Sequence, residues 1–580
     1  MTPSNKPGLG SKFGLKKDLP MEARLLLAFV LMGLVIFATP YFYKLVLPPP
    51  PPAKKAPATS TAVGSPAPGS VVSQPASVPL VTPGSPSATT KAAAKEETTI
   101  VDTDVYHVVL SNRGAVVQSW TLKNYKDRSG KPLEVVNTAA APKVGYPFAL
   151  EFRGKKPAID LNQALFVAKP LPDNLGVSYE FSANGVVAKK IFDFEKNGYL
   201  SRIETEVTQN GAPVPHLVQW RGGFGDMAVP NTAGQQSVIH FDTAASKLAH
   251  ENAKTAKNGP VNEDGPFSFA GIEDQYFTAA FLPSGSGPVQ TTVFGDLVPT
   301  IYNKTEEAFA GTAVGGEAAN KLSLFVGPKD VDTLRKVNPK LEQIVDFGWF
   351  AILAKPLFLV LRWLNNDFVH NYGWSIVLVT IFINILLFPL KLTNMKSMKK
   401  MQRLQPQIAA INEKYKSMSL RDPRQAEKNQ ETMDLYKAHG ANPMGGCLPL
   451  VIQMPFLFAF YKVLSVSIEM RNASWLWVND LSQPETIAIH VLPILMIITG
   501  FIMQKMTPVA GGDPNQQKMM AIMPLFMGFF FYSVQSGLVL YWLTGNLVGI
   551  AQQWFFNKTL TPADAGPPVQ VLTNKKNGRK

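Results

Sequence analysis

The sequence predicts a polytopic α-helical membrane protein of six spans, five of them gathered into one C-terminal core, carrying a large extracytoplasmic all-β domain. Three observations predict it. Long apolar runs occupy residues 25–46 and recur five times after residue 371. Between them, residues 101–335 alternate apolar and polar side chains at the period of a strand. Lysine and arginine crowd the loops on one side of the apolar runs and are scarce on the other.

Residues 1–24 are polar and basic, with Lys6, Lys12, Lys16, Lys17 and Arg24. The apolar run LLLAFVLMGLVIFATPYFYKLV follows. A cleaved signal peptide is one reading. The long leader, the run's continuation past Pro40 with aromatic residues, and the lack of an A-x-A site favour an uncleaved signal-anchor over 1–46, N-terminus inside. Residues 47–100 open on five consecutive prolines, Pro48 to Pro52, and continue in Pro, Ala, Ser and Thr. Such a composition buries too little apolar area to offset chain entropy, so a disordered, semi-extended linker is expected.

Within 101–335, VYHVVL, AVVQSWTL, LSRIETEV and QTTVF read as strands, with Asn-Arg-Gly, Lys-Asn-Gly and Pro-Ser-Gly turns between such runs. A large sandwich is expected. A unit this long is exempt from the loop-charge rule, so its lysines do not argue for a cytoplasmic location. The single cysteine, Cys447, excludes an intramolecular disulfide, and no Cys/His cluster suggests zinc. The net charge of +14 sits beside apolar segments, which favours membrane orientation over nucleic-acid binding.

Residues 342–367 carry an apolar, aromatic face interrupted by Lys355, Arg362 and Asp367, as expected of an interfacial amphipathic helix. The core at 372–557 then offers spans at 372–391, 444–468, 487–506, 519–534 and 537–557. The connection 393–441 is rich in lysine, the 469–486 loop holds only Arg471, and the tail 558–580 ends in Lys575, Lys576, Arg579 and Lys580. Both termini are therefore expected in the cytoplasm and the β domain outside.

There is no G-x-x-x-x-G-K-[ST], H-E-x-x-H or G-x-S-x-G, so no catalytic residue is assigned. Polar residues inside the spans are more informative. Asn384 lies about 10 Å from the inner end of its helix, with Thr380 one turn away, and Gln453 lies at about 13 Å depth. Thr544 and Asn546 occupy the last span. Interhelical hydrogen bonding explains any one of them. The gathering of several at one depth favours a shared hydrated pocket.

The 519–534 span would be about 24 Å of helix against about 30 Å of hydrocarbon, and so thins the bilayer locally. Fifteen of nineteen methionines follow residue 390; they fill a core or form a surface that accepts varied apolar segments. In 393–441, Met395, Met398, Met401, Leu404, Ile408, Ile411, Tyr415 and Met418 recur at helical spacing, which predicts a helical hairpin with an apolar seam. Its surface cations, Lys396, Lys399, Lys400 and Arg403, suit anionic lipid or ribosomal RNA.

The stretches YGWSIVLVTIFINILLFPLK, MKKMQRLQPQI, NPMGGCLPLVIQMPFLFAFY, IMQKMTP, DPNQQKMM and SGLVLYWLTGNLVGIAQQ resemble the YidC/Oxa/Alb membrane insertase family. NRGAVVQSW and QYFTAAFLP, with the anchor, resemble its Gram-negative members. The resemblance implies a β-supersandwich in the periplasm and five core helices around a hydrophilic groove open to cytoplasm and lipid. It implies insertion and chaperoning of nascent inner-membrane proteins without nucleotide or other cofactor, alone or with the Sec translocon. The expected location is thus the bacterial inner membrane. Partners are nascent membrane proteins, lipids and, as a further expectation, the ribosome; no small-molecule substrate is implied, and the chain is expected to act as a monomer.

Carried over by residue, the family's groove threonine falls on Thr380, the glutamine of its QMP motif on Gln453, and an aromatic position of its last helix on Trp542, beside Tyr541. With Asn384 and Asn546 these form the candidate groove. The arginine that family members usually carry on the first core helix falls on Asn384 here. Lys391, two turns below, is expected to supply charge only nearer the groove mouth, and an arginine at 384 is expected to be accommodated. The rival from another class is a transporter or channel with a carbohydrate-binding outer domain; it calls for polar residues through the full depth or internal repeats, and neither is seen.

Overall fold

The computed structural model describes residues 90–229, 232–285, 287–300, 306–415, 424–440, 448–487, 489–506 and 514–559. The expected anchor 1–46, most of the linker and residues 560–580 of the tail lie outside them, as does Cys447.

The predicted alternation becomes sheet. In Val186–Phe194 every second side chain, from Val186 through Ala188, Lys190 and Phe192 to Phe194, points inward. Lys190 joins this apolar row because its Nζ donates to three carbonyls, Gly114 (2.6 Å), Ala115 (3.2 Å) and Phe148 (2.8 Å). Burial still pulls its ammonium down to about 7.

Three antiparallel sheets result among the described residues. The smallest runs Thr98–Asp102, Tyr106–Ser111, Val116–Lys126, Pro132–Glu134. The ten-stranded sheet has Lys247–Glu251 at one edge and Val167–Pro170 at the other, with Phe277–Pro283 and Ala319–Pro328 paired near its centre. The five-stranded sheet is built on the hairpin Val289–Pro299 with Glu306–Gly315. One apolar core joins all three, with Tyr106, Trp120, Phe148, Phe192, Trp220 and Phe281 at its centre. Strand structure starts slightly before the expected residue 101, and Lys91 bridges to Ser182.

After the last strand, Asp330 caps helix α1 (Val331–Val337) by accepting from the Thr333 N–H at 2.8 Å. Helix α2 (Ala351–Leu364) follows, then one π turn ending at His370, which takes a left-handed φ of 51°. Helix α3 (Tyr372–Leu386) is capped by Asn371 and departs from the preceding helical segment at 118°. The remaining helices are α4 (Phe388–Lys414), α5 (Gln425–Ala438), α6 (Leu448–Val466), α7 (Val491–Met506), α8 (Pro514–Phe531) and α9 (Ser536–Thr559).

The helices Tyr372–Leu386 and Val491–Met506 are shorter than the expected spans 372–391 and 487–506. Among the described residues no single helix is long and apolar enough to cross a membrane, so the structure does not give a count of six. The expected span 372–391 shows why. Its helix stops after 15 residues at Leu387, and Pro389 opens α4, where its missing N–H costs nothing. Lys391 therefore belongs to α4 rather than to the helix of Thr380 and Asn384. Likewise α7 starts at Val491 rather than 487, and α8 holds Pro524.

The β unit and the helices share a second core. Ile239, Phe241, Phe269 and Phe325 on the ten-stranded sheet pack with Leu334 of α1, Leu357 and Leu361 of α2, and onward with α3, α6, α7 and α9. Polar ties reinforce this junction. Arg471, in the connection after α6, pairs with Asp226, both side chains less than a tenth exposed, and its guanidinium lies 5.1 Å from the Phe277 ring centre. The Gln275 amide donates to the Ser465 carbonyl at 2.9 Å. Asp226 reaches this position through a turn in which Gly225 has φ 91°; a Cβ there would fall 1.9 Å from Asp274 Oδ2.

Candidate functional site: polar groups converging on the last helix

Helix α3 places Thr380 and Asn384 one turn apart on one buried face. The Thr380 hydroxyl donates to the Ile376 carbonyl at 2.6 Å, and the Asn384 amide donates to the Thr380 carbonyl at 2.8 Å. Both donors are engaged with their own helix, which makes them tolerable in an apolar setting. The Asn384 oxygen faces away from that ladder. Lys391 Nζ reaches it at 2.6 Å from the first turn of α4 and also points at Gln552 Oε1 of α9, 3.4 Å away. Gln552 closes the ring by donating to the Asn384 carbonyl at 3.1 Å. Lys391 was expected to act only nearer the mouth; the helix break at Leu387 and Pro389 lets its side chain fold back onto Asn384.

The second cluster joins α6 to α9. Gln453 is half-buried, and its amide hydrogen-bonds the Tyr541 hydroxyl. Gly545, one turn along α9 from Tyr541, keeps this approach open: a Cβ there would lie 3.3 Å from Gln453 Nε2. Tyr541 is held by stacking on Phe460, two turns along α6 from Gln453, with ring centres 4.3 Å apart. The same pairing of faces thus places both the aromatic and the amide.

Two other expected groove residues point elsewhere on α9. Trp542 packs against Phe531 of α8, ring centres 5.2 Å apart. The Asn546 amide donates to Thr499 Oγ1 of α7 at 3.2 Å and to the Met496 carbonyl at 3.4 Å. That contact is an interhelical tie, as expected of an amide between packed helices. Thr544 is buried in the same helix. The structure therefore brings Thr380 together with Asn384, and Gln453 with Tyr541, and separates Trp542 and Asn546 from both pairs.

Sequence reasoning missed Gln552 and the reach of Lys391. A signal existed for the first: Gln552 and Gln553 form a polar pair inside an apolar run.

On the helices beyond the site, α4 and α5 pair through Met401, Leu404, Ile408 and Tyr436, the expected hairpin seam. The Tyr415 hydroxyl donates to Glu431 at 3.1 Å and Lys414 pairs with the same carboxylate at 3.0 Å. Of the four hairpin cations, Lys396 is exposed, Lys400 and Arg403 are half-buried, and Lys399 lies 5.7 Å from the Phe556 ring centre of α9. No group of His, Cys, Asp and Glu that could hold a metal occurs among the described residues.

Comparison with known proteins completes the picture. Residues 363–563 match the family model of the 60 kDa inner membrane protein, and residues 98–360 match that of the YidC periplasmic domain. The chain is 34% identical to the membrane protein insertase YidC of Geotalea daltonii, over 93% of its own length and all of the relative. It is 33% identical to the protein of the same name from Pelobacter propionicus, over 93% of this chain and 99% of that one. A crystal structure of an active YidC insertase with its first transmembrane domain resolved aligns over 80% of this chain and 94% of its own, at 20% identity and a TM-score of 0.35.

Proposed function

The chain belongs to the YidC family of membrane protein insertases, and from that premise we propose that the polar clusters on α9 are the surface along which it moves client segments. As an insertase it acts on membrane proteins, and its β-rich unit is a periplasmic domain. The observation that carries the proposal is the convergence of polar groups from α3, α4 and α6 on one helix, α9.

A nascent apolar segment docks on the exposed aliphatic and aromatic flank of the helices, where Phe382, Ile385 and Leu386 of α3 and Phe526 and Phe529 of α8 lie open. Its polar flank rests meanwhile against Asn384, Lys391, Gln453 and Tyr541. These groups replace the water hydrogen bonds that the flank gives up on leaving the cytoplasm. Release of the flank to the periplasm and of the segment into lipid follows. Apolar transfer of roughly 25 cal/mol per Å² drives the step, so no nucleotide is needed. The chain works as a monomer, alone or beside the Sec translocon, with both termini in the cytoplasm of a bacterial inner membrane. Lys396, Lys399, Lys400 and Arg403 of α4 meet lipid phosphates or a ribosome there. Helix α2 lies along the outer interface.

The test is insertion of a single-span client into proteoliposomes. Asn384→Leu combined with Gln453→Leu is expected to lower the insertion rate on the order of tenfold, a barrier change of about 1.4 kcal/mol, and each single change less. Wild-type rates in the double variant overturn the polar-surface reading.

A further inference from the structure

Among the ties between the β unit and the helices, one is built on a stiff turn. Residues 274–277 join the strands Phe267–Glu273 and Phe277–Pro283. Asp274 is buried, and its carboxylate accepts from the N–H groups of Asp226 (3.0 Å), Tyr276 (2.8 Å) and Phe277 (2.6 Å). Its carbonyl accepts from Lys329 Nζ at 2.9 Å. Charge-assisted bonds of this kind fix both the side chain and the main chain of the residue. The two side chains that follow, Gln275 and Tyr276, therefore project from a rigid base.

Both reach helix ends. Gln275 Nε2 carries two hydrogens and uses both, one on the Ser465 carbonyl of α6 at 2.9 Å and one on the Tyr276 hydroxyl at 2.9 Å. Tyr276 is buried, and its hydroxyl is hydrogen-bonded to the Ser482 side chain. Ser482 donates in turn to Asp480 at 2.7 Å, so it accepts from Tyr276. The residues around Ser482 cap α9. The Gln483 carbonyl accepts from the Ser536 N–H and from its hydroxyl, both at 2.8 Å, and the Leu481 carbonyl accepts from the Gly537 N–H at 2.9 Å. Gln535, just ahead of α9, donates back to Ser465 Oγ at 3.3 Å. One turn of the β unit thus holds the end of α6 and the start of α9 together.

We infer that Gln275 and Tyr276 are positioning residues: as a clamp they set the spacing of α6 and α9, and through it the Gln453–Tyr541 contact against which client flanks rest. The inference rests on the polar-surface reading and adds to it a task for the periplasmic domain. Gln453 lies about 18 Å along α6 from Ser465, and Tyr541 about 8 Å into α9 from Ser536. A tilt of about 5° at Ser465 moves Gln453 by roughly 1.6 Å, enough to undo a hydrogen bond. The stack of Phe460 on Tyr541 sits between clamp and contact, but stacked rings tolerate sliding that a hydrogen bond does not. The Arg471–Asp226 pair cannot replace the clamp, because it holds the connection beyond α6 and not α6 itself.

The test uses the full chain in proteoliposomes. Cys447→Ser removes the native thiol, and spin labels are placed at two exposed positions, Tyr461→Cys on α6 and Leu547→Cys on α9. The distance between labels is expected to be single and narrow in this parent, and to spread or shift by on the order of 3 Å with either Gln275→Leu or Tyr276→Phe. In the unlabelled chain each of the two changes is expected to lower the maximal insertion rate of a single-span client about threefold, with KM little changed. In a Tyr541→Phe background, which already lacks the hydroxyl, neither is expected to lower it further.

Unchanged label distances in both variants overturn the clamp. So does a further loss in the Tyr541→Phe background, since the turn would then act on insertion by a route other than this contact. Should Gln275→Leu fail to fold, Tyr276→Phe, which deletes one oxygen and keeps the ring, still decides the matter. Tyr541→Phe that inserts the client at the wild-type rate refutes the polar-surface reading instead, and the label distances then decide the clamp alone.

Discussion

At the scale of single residues, the polar positions of the apolar segments were legible because lipid makes them conspicuous. Thr380, Asn384 and Gln453 stand out in the sequence, and each has a hydrogen-bond partner. What could not be read was where each points: Asn546 lies one residue past Gly545, yet it serves α7 while Gly545 faces Gln453. One turn of helix holds faces 100° apart, and only packing decides which neighbour each face meets.

Outside the helices, Glu469 shows the same limit. Its sequence context is unremarked, yet it is buried at the junction, 4.0 Å from Arg362 Nε. Burial first, then the Asp330 and Asp332 carboxylates, raise its pKa to about 7 against the opposing pull of Arg362. Between about 4.5 and 7 the unfolded chain has released this proton while the folded chain keeps it, so stability falls as pH rises through that window. Glu469→Gln should flatten the profile. In detergent, wild type is expected to lose up to roughly 3 kcal/mol from this group between pH 5 and 8, and the variant little of that; parallel melting curves across the range would refute the assignment.

At the scale of elements, strands and helices followed the sequence where period and length agreed. Alternation in the β domain and the seam of the α4–α5 hairpin are cases in point. The spans were harder because hydropathy is blind to a backbone break. Pro389 lies inside an apolar run, and its effect depends on Leu387, which no local signal marks. Helix α2 is the more instructive element. It buries Ala354, Leu357, Phe358 and Leu361 while Ile352 (83% exposed), Leu359 (61%) and Trp363 (53%) face outward. A helix apolar on both sides, bent 118° from α3, fits a membrane interface. Spin labels at 352 and 359, seven residues apart on one face, should then report similar shallow depths. A spanning helix would separate them by about 10 Å of depth, and that result would remove the interfacial reading.

At the scale of the molecule, two units were legible and their fusion was not. The apolar face of Ile239, Phe241 and Phe269 reads in sequence as ordinary sheet interior, yet it is covered by α1 and α2. The Arg471–Asp226 pair joins residues 245 positions apart, beyond the reach of any local pattern. Burial of Asp226 pushes its carboxyl upward and Arg471 draws it back. Arg471→Met should therefore destabilise the chain by about 3–5 kcal/mol, since it strands a buried carboxylate, whereas Arg471→Met with Asp226→Leu should recover much of the loss. Thermal unfolding of the intact chain measures both; equal losses in the single and double variants would show that the pair does not carry the coupling.

The shared core also has a consequence in time. A chain made from its N-terminus completes the ten-stranded sheet at Pro328, but Phe241, Phe269 and Phe325 receive their cover only when Leu334, Leu357 and Leu361 arrive. At about 5–20 residues per second that interval lasts a few seconds. During it the newborn outer domain presents a bare aromatic face, and its own helices must reach that face before a stranger does.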